Sequence, residues 1–452
     1  MFSYGANVRL QLPVKRVNRV YSMAATLFMS STFHSLDKML ATKQPRSLAL
    51  SLASRGHVDC SDRGWAGANG ARSVIETITG RRFVTRLLLG HNQLGDDGCE
   101  VLCDFLCSEE GQKYRIEEIS LNSNDIGDRG LRALARYLLG NTSLRDLFLQ
   151  NNCFTADPEI ISLFSAAVST SCLQTLAMSA NRNLSDGFLS NFLPALTSSH
   201  LEMLHLSAVA LTPLSAPYII DYIRSPRSRS LTSLTLNGNS LGYRAIQAII
   251  QAVQEDNYTL VKLEITPHES GEESDEESTS MSSWRFSQEV LKALLWRNDD
   301  LANRVKAEAT VLLKYSRLLL LKPKKAVDSD SALAKEAPRQ GFAKLPTELQ
   351  LDILSSLAPT LSATQRIRVF RYASDSRTLP PDPRRLPSLS RDRSISATGL
   401  RLRRSPVGGI TDSAESSGSA SQLGARTLWP DVEARLRWLK AVGCEAYEKG
   451  PR

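Results

Sequence analysis

The chain has no long apolar run. Its most hydrophobic stretch, VLLKYSRLLLLKPKK from Val311, is broken by Lys314 and Arg317, whereas a spanning helix needs about 18 or more apolar residues in a row. An integral membrane protein is not expected. Cysteine is scarce and unpaired in pattern: Cys60, Cys99, Cys103, Cys107, Cys153, Cys172 and Cys444 are odd in number and contain no CxxC. The thiols therefore read as reduced and intracellular, not as a secreted disulfide framework. The chain also lacks a GxGxxG after a strand, a GxxxxGK[ST], an HExxH and a GxSxG, so phosphate-cradling, zinc-hydrolase and serine-hydrolase chemistry have no carrier. No catalytic residue, cofactor or metal site is expected.

What remains is 452 residues at 42% hydrophobic and 23% charged, ordinary material for a folded chain. The net charge of +8 raises the question of nucleic acid. Residues 1–50, 301–325 and 376–427 carry +6, +6 and +5, more than the whole chain, so the rest is acidic. The basicity belongs to ends and linkers.

The middle of the chain is repetitive. VTRLLLGHNQL from Val84, IEEISLNSNDI from Ile116, LRDLFLQNNCF from Leu144 and LTSLTLNGNSL from Leu231 share one pattern, LxxLxLxxNxL, with apolar residues at its L positions. Weaker copies begin at Leu173, Leu201 and Leu260, and the seven starts are 32, 28, 29, 28, 30 and 29 residues apart. A fixed period of this length marks a stacked solenoid. The LxL alternation turns Leu87 and Leu89, or Leu147 and Leu149, to the inside of a short strand and the residues between them outward. Asn92, Asn124, Asn152 and Asn239 follow at the turn, where an amide can satisfy backbone groups of two neighbouring repeats. The second halves switch to helical period, as in Leu131, Leu134 and Leu138, with Gly98 and Gly130 where strand gives way to helix.

These units resemble leucine-rich repeats of the ribonuclease-inhibitor subtype, and the run Asn124-Asp125-Ile126-Gly127-Asp128-Arg129-Gly130 matches that subtype's turn. The resemblance implies an α/β horseshoe of seven to eight units, parallel sheet inside and helices outside. Val58, Cys60, Trp65 and Val74 fall near one period before Leu87, Leu89, Leu94 and Leu102 and suggest an N-terminal capping repeat.

The outward strand positions define a concave face: Arg86, Leu88, His91, Glu118, Asn122, Asp146, Phe148, Gln150, Met203, His205 and Thr235 are the candidate target-binding residues. Lys and Arg are too few there to neutralise phosphates and aromatics too few to stack bases, so no nucleic acid is expected. Leu88, Phe148 and Met203 among polar neighbours suit a protein target, although the same row read blandly only keeps the sheet solvated. Cys99, Cys103 and Cys107 recur at i, i+4, i+8 of a helix, which spreads the outer sulfurs roughly 12 Å apart and is too far for one tetrahedral ion. The six histidines are dispersed; of them His91 and His205 alone fall on the predicted strands or their ends, four units apart.

The remaining segments divide as follows. Residues 1–50 read as a disordered basic extension with a weak likeness to a transit peptide, and Met23 is an alternative start. The solenoid takes 51–266 and an acidic disordered loop 267–283, in which Ser274 is a candidate phosphosite. Two helices, 284–300 and 301–321, are expected to form a helical cap over 284–322, ending in Lys322, Lys324 and Lys325. A linker occupies 323–341. Residues 342–374 hold two helical stripes, the first opened by Pro346 and ended by Pro359. Their opening LPTELQLDIL resembles an F-box, matched by Leu345, Pro346, Glu348, Leu349, Ile353 and Leu354. That resemblance implies a surface for the Skp adaptor of cullin ubiquitin ligases, formed by Leu345, Pro346, Leu349, Ile353, Leu354 and Phe370. The alternative is a helix pair docking back on the cap. Residues 375–427 are an Arg/Ser/Pro-rich linker with candidate phosphosites Ser394, Ser396 and Ser405, and 428–452 an amphipathic helix.

The layout of a solenoid with a trailing LPTEL segment resembles a group of fungal ribonuclease-inhibitor-like proteins, which fixes no activity. A solenoid followed by an acidic stretch also resembles leucine-rich Ran-type GTPase-activating proteins. The reading taken forward is a non-enzymatic protein-binding protein of cytoplasm or nucleus, acting as a ligase substrate receptor, with a scaffold or GTPase regulator as the alternative.

Overall fold

The computed structural model describes residues 56–267, 277–321, 342, 345–378 and 432–449. The N-terminal extension, the linkers, most of the acidic loop and the candidate phosphosites Ser274, Ser394, Ser396 and Ser405 lie outside the described residues.

Eight three-residue strands run in chain order in one parallel sheet: β1 His57–Asp59, β2 Arg86–Leu88, β3 Glu118–Ser120, β4 Asp146–Phe148, β5 Thr175–Ala177, β6 Met203–His205, β7 Ser233–Thr235 and β8 Lys262–Glu264. The register aligns the repeats position for position, with Val58 beside Leu87, then Ile119, Leu147, Leu176, Leu204, Leu234 and Leu263. β1 is thus the capping repeat expected from Val58. Between the strands run α1 Gly67–Thr79, α2 Gly95–Cys107, α3 Asp128–Leu138, α4 Pro158–Thr170, α5 Ser185–Ala195, α6 Ala216–Arg224 and α7 Tyr243–Asp256. Each helix turns its apolar stripe onto the inner face of the sheet, so Leu87, Leu89, Leu102 and Leu106 meet in one continuous core. The chain forms a leucine-rich-repeat solenoid.

Neighbouring repeats are tied by two polar ladders. Asn152 accepts the backbone N–H groups of Asn124 (3.1 Å) and Ile126 (3.2 Å) and donates to the carbonyls of Leu121 and Leu149. A carboxylate one turn later repeats the device on the helix side: Asp96 accepts from Gly127 N–H (2.7 Å) and Gly130 N–H (2.8 Å), meeting the orphan donors at the start of α3. Gly130 lies inside α3, not at its threshold, and a Cβ there would collide with Ile126 and the Asp96 carboxylate and crowd Cys99. Its missing side chain sets the close approach of α3 to α2.

Where two cap helices were expected, a single helix α8, Glu277–Leu320, runs through. Its span holds no proline or glycine after residue 277, so nothing interrupts it at Asp299 or Asp300. The two halves do different work. Leu291 and Leu294 close the solenoid core, and Arg297 donates to the carbonyls of Val253, Gln254 and Asn257 at the end of α7. Val305, Ala309, Leu312 and Leu313 instead open a second core. There they meet α9 Thr347–Ser355, α10 Ala363–Ser374 and α11 Val432–Ala441, through Leu354, Leu361, Val369, Trp438, Leu439 and Val442.

Candidate binding surfaces

The register sets the concave face out in rows. One row reads His57, Arg86, Glu118, Asp146, Thr175, Met203, Ser233, Lys262, and the next Asp59, Leu88, Ser120, Phe148, Ala177, His205, Thr235, Glu264. Asn122 and Gln150 lie beyond the strand ends, linked where Asn122 Oδ1 accepts the Gln150 N–H at 2.8 Å. His91 sits further along its loop, exposed, with φ of 57°, the left-handed conformation that this turn imposes.

Charge is concentrated at the two ends of the rows and partly neutralised there. Arg86 pairs with Glu118 across β2 and β3 at 3.2 Å, and Lys262 with Glu264 at 2.8 Å. From β5 to β7 the rows hold no carboxylate, lysine or arginine, while Asp146 stands on β4 with Phe148. Phe148 is half-buried and Met203 is 38% exposed, with the small residues Thr175 and Ala177 buried between them. Short side chains on β5 lie between longer ones on β4 and β6 about 5 Å to either side, which shield them from solvent. The apolar patch is therefore Phe148 with Met203, two strands apart, and Leu88 stands away from it beyond Ser120.

Thr235 is corrected as a contact residue. It is 4% exposed, and its hydroxyl is engaged by His205 Nδ1 (3.1 Å) and Ser207 Oγ (3.3 Å). A threonine between a histidine and a glutamate in its row is overshadowed by both. Its role is to orient His205. Burial, then nearby Lys262, holds the His205 imidazole below its ordinary pKa, against the opposing pull of Glu264. Burial and Lys440 do the same to His200. The unfolded chain takes up these protons first as pH falls. Stability is therefore full above the usual imidazole range and declines below it, until the folded-state pKa values are reached. Thermal melts from about pH 7.5 to about pH 5.5 should show the midpoint falling with acidity, and His205→Gln should flatten part of that slope.

The second surface is the α9–α10 pair. Ser362 and Gln365 form a capping box, each accepting the other's backbone N–H at 3.0 Å, which fixes where α10 begins. Gln365 also donates to the carbonyls of Gly443 and Ala446, both at 2.9 Å, while Glu448 accepts from Arg368 at 2.6 Å. The helix pair is thereby fastened to the C-terminal segment, and Thr360 ties it to α8, where Glu308 accepts from its backbone N–H (2.8 Å) and hydroxyl (2.7 Å). Leu354 is corrected as an adaptor contact: it is 2% exposed and belongs to the chain's own second core. Phe370 is half-buried against the same core, Leu345 is half-buried and Pro346 exposed. Leu349 and Ile353 face outward, 50% and 47% exposed, joined by Leu357 and Ile367 at 40% and 49%. Ile367 and Leu357 were not among the expected contacts. Their signal was the same apolar stripe, divided here between a face that packs and a face that does not.

The family described as "Leucine Rich repeat" matches residues 82–103 and 116–135. The ribonuclease inhibitor of Sus scrofa is 35% identical over 95 residues, which is 21% of this chain and 20% of that protein. The ribonuclease inhibitor of Mus musculus is 29% identical over 171 residues, 36% of this chain and 35% of that one. The chain thus spans between a fifth and about a third of the length of these curated relatives. Among solved structures, the Rad7 and Elc1 complex in yeast matches over 48% of this chain and 72% of that chain, at 15% identity and a TM-score of 0.25. The chain therefore carries leucine-rich repeats and is similar to ribonuclease inhibitors over part of its length.

Proposed function

We propose that the chain is a non-enzymatic interaction protein with two working surfaces. The concave face around Phe148 and Met203 takes a protein target, and the outward stripe of the α9–α10 pair takes an adaptor of the Skp type, which makes the chain a substrate receptor of a cullin ubiquitin ligase. The observation that supports this most directly is the division of the helix pair: Leu354 and Val369 are committed inward, while Leu349, Ile353, Leu357 and Ile367 are left exposed in one short segment. Four large aliphatic side chains in solvent are the composition of an interface core, not of a solvated helix. On the concave side, Phe148 and Met203, with Asp146 and the charged ends of the rows around them, have the arrangement of apolar contacts inside a polar rim.

The two surfaces are separable by substitution. Ile353→Glu leaves the second core intact and should abolish co-purification of a Skp adaptor with the full chain, while Phe148→Ala should leave it unchanged. Conversely, Phe148→Ala should weaken target capture about tenfold or more, the usual effect of truncating a central aromatic contact. Leu354→Glu cannot serve as the adaptor test, because it places a charge in the second core. Adaptor capture undiminished by Ile353→Glu, or no capture by the wild-type chain, would remove the ligase reading and leave a scaffold.

A further inference from the structure

One repeat is longer than the rest: Val84 to Ile116 is 32 residues, against 28 to 30 elsewhere. The extra residues form a 3-10 turn, Gly111–Lys113, between α2 and β3. Ser108 holds it, accepting the Gly111 N–H on its hydroxyl at 3.1 Å and the Gln112 N–H on its carbonyl at 3.0 Å. A Cβ at Gly111 would collide with the Phe105 carbonyl oxygen, so the turn requires glycine there. Between this turn and the next connector, Leu139–Ser143, lies a cleft of about 500 Å³. It opens where helices return to strands, away from the concave face and the helix pair.

The chemistry of the cleft is one-sided. Arg115 and Tyr114 come from the longer connector, Arg136 from α3 and Thr142 from the following one, and no lining residue is a carboxylate. Arg136 is shared with Asp104 just outside, at 3.3 Å, both groups more than half exposed. Arg115 is exposed and pairs with no carboxylate among the described residues. A second cleft, about 340 Å³ at the C-terminal segment, is different: Glu445 and Glu448 line it, and its Arg227 already donates to the Leu193 and Pro194 carbonyls. Two guanidinium forks with hydroxyl and phenol donors, and no carboxylate in the lining itself, suit a phosphoryl group, which would compete for Arg136 only with the exposed Asp104. The volume exceeds what one anion fills, and Leu139 at its edge is 60% exposed, offering apolar contact to neighbouring residues of a peptide.

We propose that this cleft binds a phosphorylated serine or threonine of a partner protein, with Arg115 and Arg136 taking the phosphate. The test is fluorescence anisotropy of a labelled short phosphoserine peptide with the full chain, alongside its unphosphorylated form, with inorganic phosphate as competitor at constant ionic strength. Saturable binding of the phosphopeptide is expected, weakened about tenfold by Arg115→Ala and by Arg136→Ala. Arg72→Ala, an exposed arginine on α1, should change nothing, and circular dichroism should find all variants folded. Equal binding of the unphosphorylated peptide, or undiminished binding by Arg115→Ala, would overturn the site. Competition by inorganic phosphate at the same concentration as the peptide would overturn the assignment to a protein-borne phosphate.

Discussion

Asn239→Ala should destabilise the chain by about 4 kcal/mol, more than any other single side-chain truncation in the asparagine ladder. Asn239 is 1% exposed and fully used: its Oδ1 accepts from Val209 N–H (3.0 Å) and Leu211 N–H (3.1 Å), and its Nδ2 donates to the Leu206 and Leu236 carbonyls at 2.8 Å. Alanine leaves these backbone groups buried with no water to replace the amide, at about 1–3 kcal/mol for each that stays unpaired. The position also stands beside a gap in the ladder, since Val209 occupies the place of an asparagine in the preceding repeat, so no neighbouring amide can take over. Asn124 supplies the contrast. Its Nδ2 donates to the Leu89 and Asn122 carbonyls, but its Oδ1 has no partner among the described residues. Asn124→Ala should therefore cost about half as much. Urea unfolding of both variants, read as a shift in midpoint at constant slope, checks the order as well as the size. Equal costs would mean that the ladder's energy lies in the two carbonyls each amide reaches and not in the N–H groups that Asn239 alone of the two collects.

The ladder asparagines were legible in the sequence because their spacing repeats, and so were Leu87, Leu147 and Leu234, whose burial follows from a period that any one repeat displays. The Asp96 bonds to Gly127 and Gly130 were not legible as such, since they join one repeat's helix to the next repeat's turn. The same holds for the concave face. Outward direction follows from alternation, but Thr175, Ala177 and Thr235 are buried because of what stands on the adjacent strands. Accessibility of a strand residue depends on neighbours about 28 residues away in either direction, and a small residue between large ones loses its exposure. The continuity of α8 was available from its lack of proline and glycine, yet its polar Asn298-Asp299-Asp300 reads as a break. Structure resolves this through Asn298, which is fully buried and donates to the Leu260 carbonyl at 2.7 Å. A polar residue in a helix can mark a tie to another element and not an end.

Ending the chain before residue 428 should unfold the helix pair while leaving the solenoid intact. The removed segment supplies Trp438, Leu439, Val442 and Cys444, all at most 3% exposed, to the second core. At about 1.5–3 kcal/mol for each large apolar side chain, their burial is worth about 8 kcal/mol, more than two short helices have to spare. The polar fastening goes with it: Gln365 loses the Gly443 and Ala446 carbonyls, and Arg368 and Ser362 lose Glu448. The solenoid loses rim contacts: the ion pairs of Lys440 with Glu202 at 3.5 Å and Lys449 with Asp256 at 3.7 Å, exposed enough to count for little, the Lys449 bond to the Glu255 carbonyl at 2.9 Å, and the Tyr258–Tyr447 ring contact at 5.3 Å. Limited proteolysis should therefore open residues 345–378 and spare 56–267. In the full-length chain Cys444 offers a direct readout, because burial raises its thiol pKa to about 12 and protects it from alkylation until the module opens. Slow alkylation of Cys444 in the full chain, set against fast reaction of the exposed Cys153, measures that opening. If the helix pair stays protease-resistant after truncation, α8 alone holds it. If it unfolds as expected, the proposed two-surface function requires the truncated chain to keep capture by the concave face and lose capture of a Skp-type adaptor, because the stripe of Leu349 and Ile353 is presented only by a helix pair that a segment more than fifty residues further along completes.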